Sequence, residues 1–357
     1  MESGVFDGYL ASGRNKSVDF LKLYAALLVI LGHCMAACVT EAASTPLYNF
    51  IWLTEMPLFM FLSGFVNSKI EKVATIKDYF CRLLKNALVL LIPCFVCMLI
   101  DCVVYRLSLI SRFVEFYYSP NLWFLWALFC IHTVFDLGMY LANKMKSWIR
   151  LLLPVAFVLT VSATIILLMF FLRDRFDFSI LSFKLIAYYI PFFSLGYLFH
   201  LLLPRIVKYK IMNFVVAIVC FLVLVFEVFY FKSIASFDDS SIKYVLIRCI
   251  GSTSAIVVSL VLGNCAVKLK FLASLSRFGA FSLESYVLHV RYFALIHFQS
   301  ETVPIQFLFA FLSFLLLLAM VIATMVILYF IPYAHLCLFG KSFSRYSFEK
   351  KLPKILR

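Results

Sequence analysis

The sequence contains few charged residues and few glycines, and both shortages narrow the classes of protein it can belong to. Only 14% of its 357 residues are charged, whereas 64% are apolar. Soluble domains contain about 25% charged and roughly 45–50% apolar residues, which argues against a water-soluble enzyme, a coiled coil and a disordered chain. The 11 glycines form neither G-x-G-x-x-G nor a phosphate-binding loop, so nucleotide hydrolysis has no support. The composition predicts a membrane protein.

The cysteines give no sign of a disulfide framework. All 11 lie singly in apolar stretches except for Cys34/Cys38 and Cys94/Cys97, which lack the spacing of a small disulfide-rich domain. Such residues are expected to be small buried hydrophobic side chains. No metal site is predicted.

Apolar stretches long enough to cross a bilayer recur through the whole chain. A helix needs about 20 apolar residues to span the hydrocarbon core. Ten stretches meet that length, at roughly 18–38, 47–66, 86–106, 121–142, 150–172, 183–203, 211–231, 243–264, 276–298 and 305–333. The connections between them are too short for a further folded domain. We predict an all-α fold, a single transmembrane domain of about ten helices over residues 1–357 with a basic cytoplasmic tail at 336–357.

The distribution of lysine and arginine predicts the orientation of this bundle. Of the 32 basic residues, 22 lie on the side that holds both termini, and six lie in the loops of the opposite side. Basic loops stay in the cytoplasm, so both termini are predicted to be cytoplasmic. The net charge of +14 then reflects topology and contact with anionic membrane lipid, and no nucleic-acid partner is predicted.

Ionisable residues inside the predicted spans are costly in hydrocarbon, so each is a candidate functional group. In the first span, Lys22 and His33 are 11 residues apart, which leaves them only about 20° out of register on a helix. Asp19 precedes Lys22 by one turn and is well placed to pair with it. A cation near the cytoplasm and an imidazole roughly 16 Å further along suit an anionic donor whose far end reacts. The alternative is that His33 only hydrogen-bonds to a neighbouring helix.

Polar residues of the second span and of the segment just before the third form two weaker signals. Arg82 and Lys85, three residues apart, could bind phosphate oxygens, although basic flanks of transmembrane helices produce such pairs routinely. Glu55 lies two residues before Pro57, which interrupts the backbone hydrogen bonds of its helix.

The ninth predicted span carries a polar stripe on an otherwise apolar helix. Ser282, Ser285 and His289 lie at positions i, i+3 and i+7. On a neighbouring face, Glu284 and Arg291 could pair through the bundle. Hydrogen bonding between helices, at about 1 kcal/mol per contact, is a serious alternative to a functional site.

The remaining charges of the spans have a simpler interpretation. They lie within a turn or two of an inferred helix end, where a long side chain can reach the membrane surface. This group consists of Asp101, Asp136, Lys184, Glu227 and Arg248.

Five runs of sequence resemble the acyltransferase-3 family, the polytopic membrane O-acyltransferases that modify bacterial surface glycans. The first is a basic residue, ten residues and a histidine, from Lys22 to His33. The other runs are 56–65 (MPLFMFLSGF), 82–85 (RLLK), 122–125 (LWFL) and 282–289 (SLESYVLH). Together with the ten spans, these runs cover nearly the whole chain, and their order and spacing make the resemblance fairly specific.

Two departures from the family pattern are visible. The cytoplasmic basic pair is usually two arginines, whereas here Lys85 is the second member and lacks a bidentate fork. Glu55 stands where relatives often have histidine.

Some relatives also carry an extracytoplasmic hydrolase-like domain after the bundle. Here either the bundle acylates its acceptor directly or a separate extracytoplasmic transferase completes the reaction.

The resemblance implies an enzyme of the bacterial plasma (inner) membrane. It would move an acyl group, with acetyl preferred and succinyl open, from cytoplasmic acyl-CoA to a hydroxyl of a lipid-linked or surface glycan. Acyl-CoA is then a substrate, and no cofactor is bound permanently. His33 would act as general base or carry the acyl group covalently. The substrate-binding residues would be Lys22, Asp19, Arg82 and Lys85 for the donor and Glu55, Ser282, Ser285 and His289 for the acceptor.

Two rival functions fit part of the pattern. A secondary transporter or flippase also has many helices with buried charges, but inverted repeats and paired broken helices are missing from this sequence. A glycan polymerase would generally need larger outer loops.

Overall fold

The computed structural model describes residues 4–10, 14–68, 73–118, 122–143, 145, 147–172, 180–231, 242–293, 300 and 302–340. Over these residues the regular structure is helical, and no β-strand is formed. The helices are α1 (Lys16–Cys38), α2 (Pro46–Asn67), α3 (Ile76–Val104), α4 (Leu109–Tyr118), α5 (Trp123–Ala142), α6 (Ser147–Leu172), α7 (Phe183–Ile206), α8 (Lys210–Tyr230), α9 (Ile242–Ala266), α10 (Lys270–Leu275), α11 (Ser282–Phe293), α12 (Val303–Phe330) and α13 (Pro332–Phe339). Short 3-10 segments lie at Asp7–Tyr9, Ala42–Ser44, Ile180–Ser182 and Ser276–Phe281.

Nine of the described helices are long and apolar enough to cross a membrane, which supports a multi-pass membrane protein. They are α1, α2, α3, α5, α6, α7, α8, α9 and α12. The predicted count of about ten is therefore corrected for the span at 276–298. Its first six residues form the 3-10 segment and its next 12 form α11, while 294–299 lie outside the described residues. Twelve residues extend only about 18 Å as a helix, less than the hydrocarbon core of about 30 Å.

Two features at the ends of the third span also differ from expectation. Helix α3 begins at Ile76, ten residues before the predicted start, because Thr75 and Asp78 form a capping box. The Thr75 hydroxyl accepts the Asp78 N–H at 3.1 Å, and the Asp78 carboxylate accepts the Thr75 N–H at 2.8 Å. After α3, the short helix α4 occupies a segment predicted as a loop.

The cytoplasmic placement of the termini stays a prediction, and 341–357 of the proposed tail lie outside the described residues.

The chain divides into two compact units. The first comprises Met1–Phe65 and Gly196–Ile327, and the second comprises Val66–Leu195 and Leu328–Arg357. In the first unit α1 contacts α9, α11 and the 3-10 segment Ser276–Phe281. In the second unit α5 packs against both α3 and α6, and α13 packs against α3.

One glycine sets the distance between α1 and the segment that leads into α11. A Cβ atom added at Gly279 would lie 1.8 Å from the backbone oxygen of Asp19, a separation that no side chain can occupy. The segment can therefore lie directly on the backbone of α1 only with glycine at this position. This contact fixes where α11 begins along α1.

Candidate functional site

His33 lies near the C-terminal end of α1, beside α11. Its imidazole is 5.2 Å from the ring of His289 and 5.4 Å from the ring of Phe293, measured between ring centroids. The side chain of His33 is exposed, although its neighbour Cys34 is buried. The imidazole is thus not covered by the packed protein, a condition that the prediction of a reactive His33 requires.

His289 is the buried partner in this pair, with no exposed surface. Its Nδ1 lies 3.1 Å from the backbone oxygen of Ser285, one turn earlier on α11. Because a carbonyl oxygen only accepts hydrogen bonds, Nδ1 carries the proton in the neutral ring, and Nε2 presents its lone pair. Within the described residues, Nε2 is buried and has no hydrogen-bond partner. Nε2 is thus a buried hydrogen-bond acceptor on the ring next to His33.

Glu55 approaches the same part of α1 from α2. A Cβ atom added at Gly32 would lie 3.2 Å from Oε2 of Glu55 and 3.0 Å from Cγ2 of Ile51. Glycine at this position lets the carboxylate lie against the backbone of α1, one residue before His33. In the part of the chain that is described, Oε2 is buried and accepts no hydrogen bond. A buried, unsatisfied carboxylate oxygen is costly, and sites of this kind are frequently functional.

Lys22 and Asp19 lie toward the other end of α1. Lys22 is half-buried, and 11 helical residues separate it from His33 by about 16 Å along the axis. Asp19 is 9% exposed and accepts a hydrogen bond from Nε of Arg14 at 2.5 Å. Arg14 is therefore an ion-pair partner of Asp19, whereas the sequence favoured Lys22. Asp19 also supplies the backbone oxygen that Gly279 contacts.

The two serines of the predicted stripe have different positions in α11. Ser282 is the first residue of the helix and is half-buried. Ser285 is also half-buried, and its backbone oxygen contacts His289. The structure thus places the serines on the helix that carries His289 against α1.

Arg82 and Lys85 belong to α3 in the second unit and differ from each other. Arg82 donates to both carboxylate oxygens of Asp136, from Nε at 3.1 Å and from Nη2 at 2.8 Å. Nη2 also donates to Oδ1 of Asn67 at 2.8 Å. Lys85 is exposed. The two predicted phosphate ligands therefore have unlike surroundings, one engaged in an ion pair and the other open.

The interpretation of the remaining span charges as residues that reach the membrane surface is wrong for most of them. Four are nearly inaccessible: Asp101 at 4%, Asp136 at 1%, Glu227 at 5% and Arg248 at 2% exposed. Their helical faces turn toward other helices, which the sequence could not reveal because it does not say which faces meet. The partner of Asp136 is itself a predicted site residue, Arg82. The position of Asp136 in the middle of an apolar run was the sequence feature that could have indicated a buried partner.

No group of three or more histidine, cysteine, aspartate or glutamate side chains in the described ranges comes together in a way that could hold a metal ion.

Comparisons with known proteins agree with the motifs. Residues 15–331 match the acyltransferase-3 family, described as an acyltransferase domain. Nodulation protein NolL of Sinorhizobium fredii is 27% identical over 275 residues, covering 70% of this chain and 68% of that protein. Nodulation protein NolL of Mesorhizobium japonicum is 26% identical over 274 residues, covering 70% and 67%. No solved structure matches the chain. Because the family match includes every residue of the candidate site, the chain belongs to the acyltransferase-3 family and is a multi-pass membrane acyltransferase.

Proposed function

We propose that this acyltransferase moves an acyl group, acetyl in the first instance, from cytoplasmic acyl-CoA to a hydroxyl of a lipid-linked or surface glycan in the bacterial plasma membrane, with His33 as general base. The observation that carries the proposal is the exposed imidazole of His33 beside the buried imidazole of His289. The family match supports acyl transfer as the reaction class. It also favours an enzyme over a transporter or flippase.

The reaction needs one base at the attacking hydroxyl. A neutral His33 imidazole takes the hydroxyl proton while the hydroxyl oxygen forms a bond to the thioester carbonyl carbon. The tetrahedral intermediate then collapses, the carbon–sulfur bond breaks, and the imidazolium returns the proton to the departing thiolate. No net proton is gained or lost. General-base assistance of this kind contributes typically about 10²–10⁴ in rate.

The neighbours of His33 suit this proton transfer. The buried Glu55 carboxylate beside Gly32 would stabilise the imidazolium that forms during attack. The lone pair on His289 Nε2 would accept a hydrogen bond from the incoming hydroxyl and orient it. Ser282 and Ser285, on the same helix as His289, would bind further acceptor hydroxyls.

The donor would be held at the other end of α1. Lys22 lies about 16 Å from His33 along the helix, so it would bind an anionic group of the coenzyme while the thioester reaches His33. Asp19 and Arg14 would keep that end of α1 ordered through their ion pair. A covalent acyl-His33 intermediate would use the same placement and would be recognised by label retained on the protein without acceptor.

The decisive experiment supplies radiolabelled acetyl-CoA to membranes containing the full chain and measures label in carbohydrate. His33→Ala is expected to reduce transfer by about 10²–10⁴ while the protein remains inserted and elutes as a single species in detergent. His200→Ala, which removes a histidine of the first unit away from this cluster, is the matched control. Unchanged transfer by His33→Ala would refute the role of His33. Solute uptake without labelled carbohydrate would favour the transporter.

A further inference from the structure

A buried ion pair in the second unit joins three helices. The Arg82 guanidinium on α3 contacts both carboxylate oxygens of Asp136 on α5 and the amide oxygen of Asn67 at the end of α2. The side chain of Asp136 is 2% exposed and that of Arg82 is 18% exposed. A carboxylate this deeply buried needs a counter-charge, and Arg82 supplies it through a two-pronged contact.

The hydrogen-bond geometry leaves Arg82 poorly equipped to bind a phosphate. A guanidinium has five N–H bonds, and three of them are directed at Asp136 and Asn67. Both hydrogens of Nη2 are used. Each edge of the guanidinium that can grip a phosphate with two parallel bonds includes Nη2, either with Nε or with Nη1. No such edge remains open in this structure.

We infer that Arg82 is a positioning residue whose charge serves Asp136, and that it is not a ligand of the substrate's anionic groups. This inference refines the proposed function and rests on it, because the resemblance would assign Arg82 and Lys85 together to the coenzyme phosphates. The pair Arg82–Asp136 carries no net charge, so Lys85 is the member of the basic pair whose charge is not offset by Asp136. Asp136 and Asn67 then act by holding α3, and with it Lys85, in place.

A suppression experiment separates a positioning role from a binding role. Arg82→Gln alone leaves the Asp136 carboxylate buried without its counter-charge, and we expect a lower thermal midpoint and little active enzyme. The double variant Arg82→Gln/Asp136→Asn removes both charges and keeps side chains of similar size. We expect it to regain the thermal midpoint and acetyl transfer, with a KM for acetyl-CoA within about twofold of wild type, since no ligand contact is lost.

Lys85→Gln is the matched comparison, since it removes a charge from the same helix face without breaking the ion pair. Its expected result is an unchanged thermal midpoint and a KM for acetyl-CoA raised about fivefold or more, the cost of one charge-assisted hydrogen bond. Arg82→Lys is the conservative variant. It retains a charge for Asp136 without the fork, and we expect it to be folded with a near-normal KM.

A folded double variant whose KM for acetyl-CoA is raised tenfold or more would overturn the inference. So would a double variant that fails to fold while Asp136→Asn alone folds normally, because removal of both charges should eliminate the buried imbalance. If neither the double variant nor Asp136→Asn yields folded protein, the KM of Arg82→Lys for acetyl-CoA decides the question. A raised KM in folded Arg82→Lys contradicts the positioning role, and a normal KM supports it. None of these outcomes depends on His33, whose substitution tests the proposed chemistry separately.

Discussion

The imidazoles of His33 and His289 lie 5.2 Å apart and differ in access: the first is exposed and the second is completely buried. The hydrogen bond to the Ser285 oxygen orients the buried ring and leaves Nε2 as an acceptor. In the proposed mechanism this asymmetry gives the two rings separate tasks. His33 would exchange the proton with the substrate, and His289 would orient the attacking hydroxyl.

Substitution of His289 tests its orienting task. In the proposed mechanism His289→Ala removes one hydrogen-bond acceptor for the attacking hydroxyl, which is worth about 0.5–1.5 kcal/mol and therefore about two- to tenfold in kcat. His289→Asn keeps a short side chain with an acceptor oxygen and should lose less. Steady-state transfer of label from acetyl-CoA measures both. A loss as large as that of His33→Ala would mean that His289 is itself the base.

Gly32→Ala tests the approach of Glu55 to α1. The new Cβ would lie 3.2 Å from the carboxylate oxygen and 3.0 Å from Ile51, so the Glu55 side chain must move by a few tenths of an ångström. We expect reduced kcat with folded protein retained, and a larger reduction for Gly32→Val. Glu55→Gln should lower kcat without any steric change, because in the proposed mechanism the Glu55 carboxylate stabilises the His33 imidazolium. Wild-type kcat in all three variants would contradict a role for this carboxylate.

Gly279→Ala tests the contact between α1 and the segment before α11. Its Cβ would overlap the backbone oxygen of Asp19 at 1.8 Å, and a backbone atom cannot turn away as a side chain can. We expect a marked fall in thermal midpoint and in yield of folded protein, since overpacking costs typically about 1–3 kcal/mol. Ala280→Ser, at the neighbouring half-buried position, is the control and should be close to wild type. Normal stability of Gly279→Ala would show that this close contact is not maintained.

Helix α4 presents apolar side chains outward and Arg112 toward α3. Ile110 is 77% exposed, whereas Arg112 is ion-paired with Glu115 and lies 3.9 Å from Asp101 of α3. Exposed residues of α3, among them Val103 at 79%, continue the apolar surface. We expect this apolar surface to face lipid.

Ile110→Asp is therefore expected to lower the free energy of unfolding in lipid nanodiscs by up to about 3 kcal/mol, the cost of a carboxylate placed in hydrocarbon, and so to lower the thermal midpoint. Ser111→Asp, one residue further on the polar side of α4, should have little effect. If Ile110→Asp is as stable as Ser111→Asp, the outward side of α4 is in water.

Properties that depend only on residues close together in the sequence could be predicted from the sequence. Hydropathy predicted the membrane placement and nine of the spans, since each apolar run is long enough on its own. Helical periodicity placed Lys22 and His33 on one face of α1 before any contact was known. The ninth predicted span was wrong as a continuous helix because hydropathy averaged over 276–298 did not register the 3-10 segment at its start.

Contacts between helices could not be predicted from hydropathy or helical periodicity. The approach of His289 to His33, of Glu55 to Gly32 and of Asp136 to Arg82 depends on which faces of distant helices meet. Periodicity ranks the residues of one helix by face but carries no information about the partner of that face. The membrane location and the positions of the spanning helices thus follow from the hydropathy of each short stretch of sequence. The ion-pair partner of Arg82 and the buried neighbour of His33 are instead determined by packing between residues far apart in the sequence.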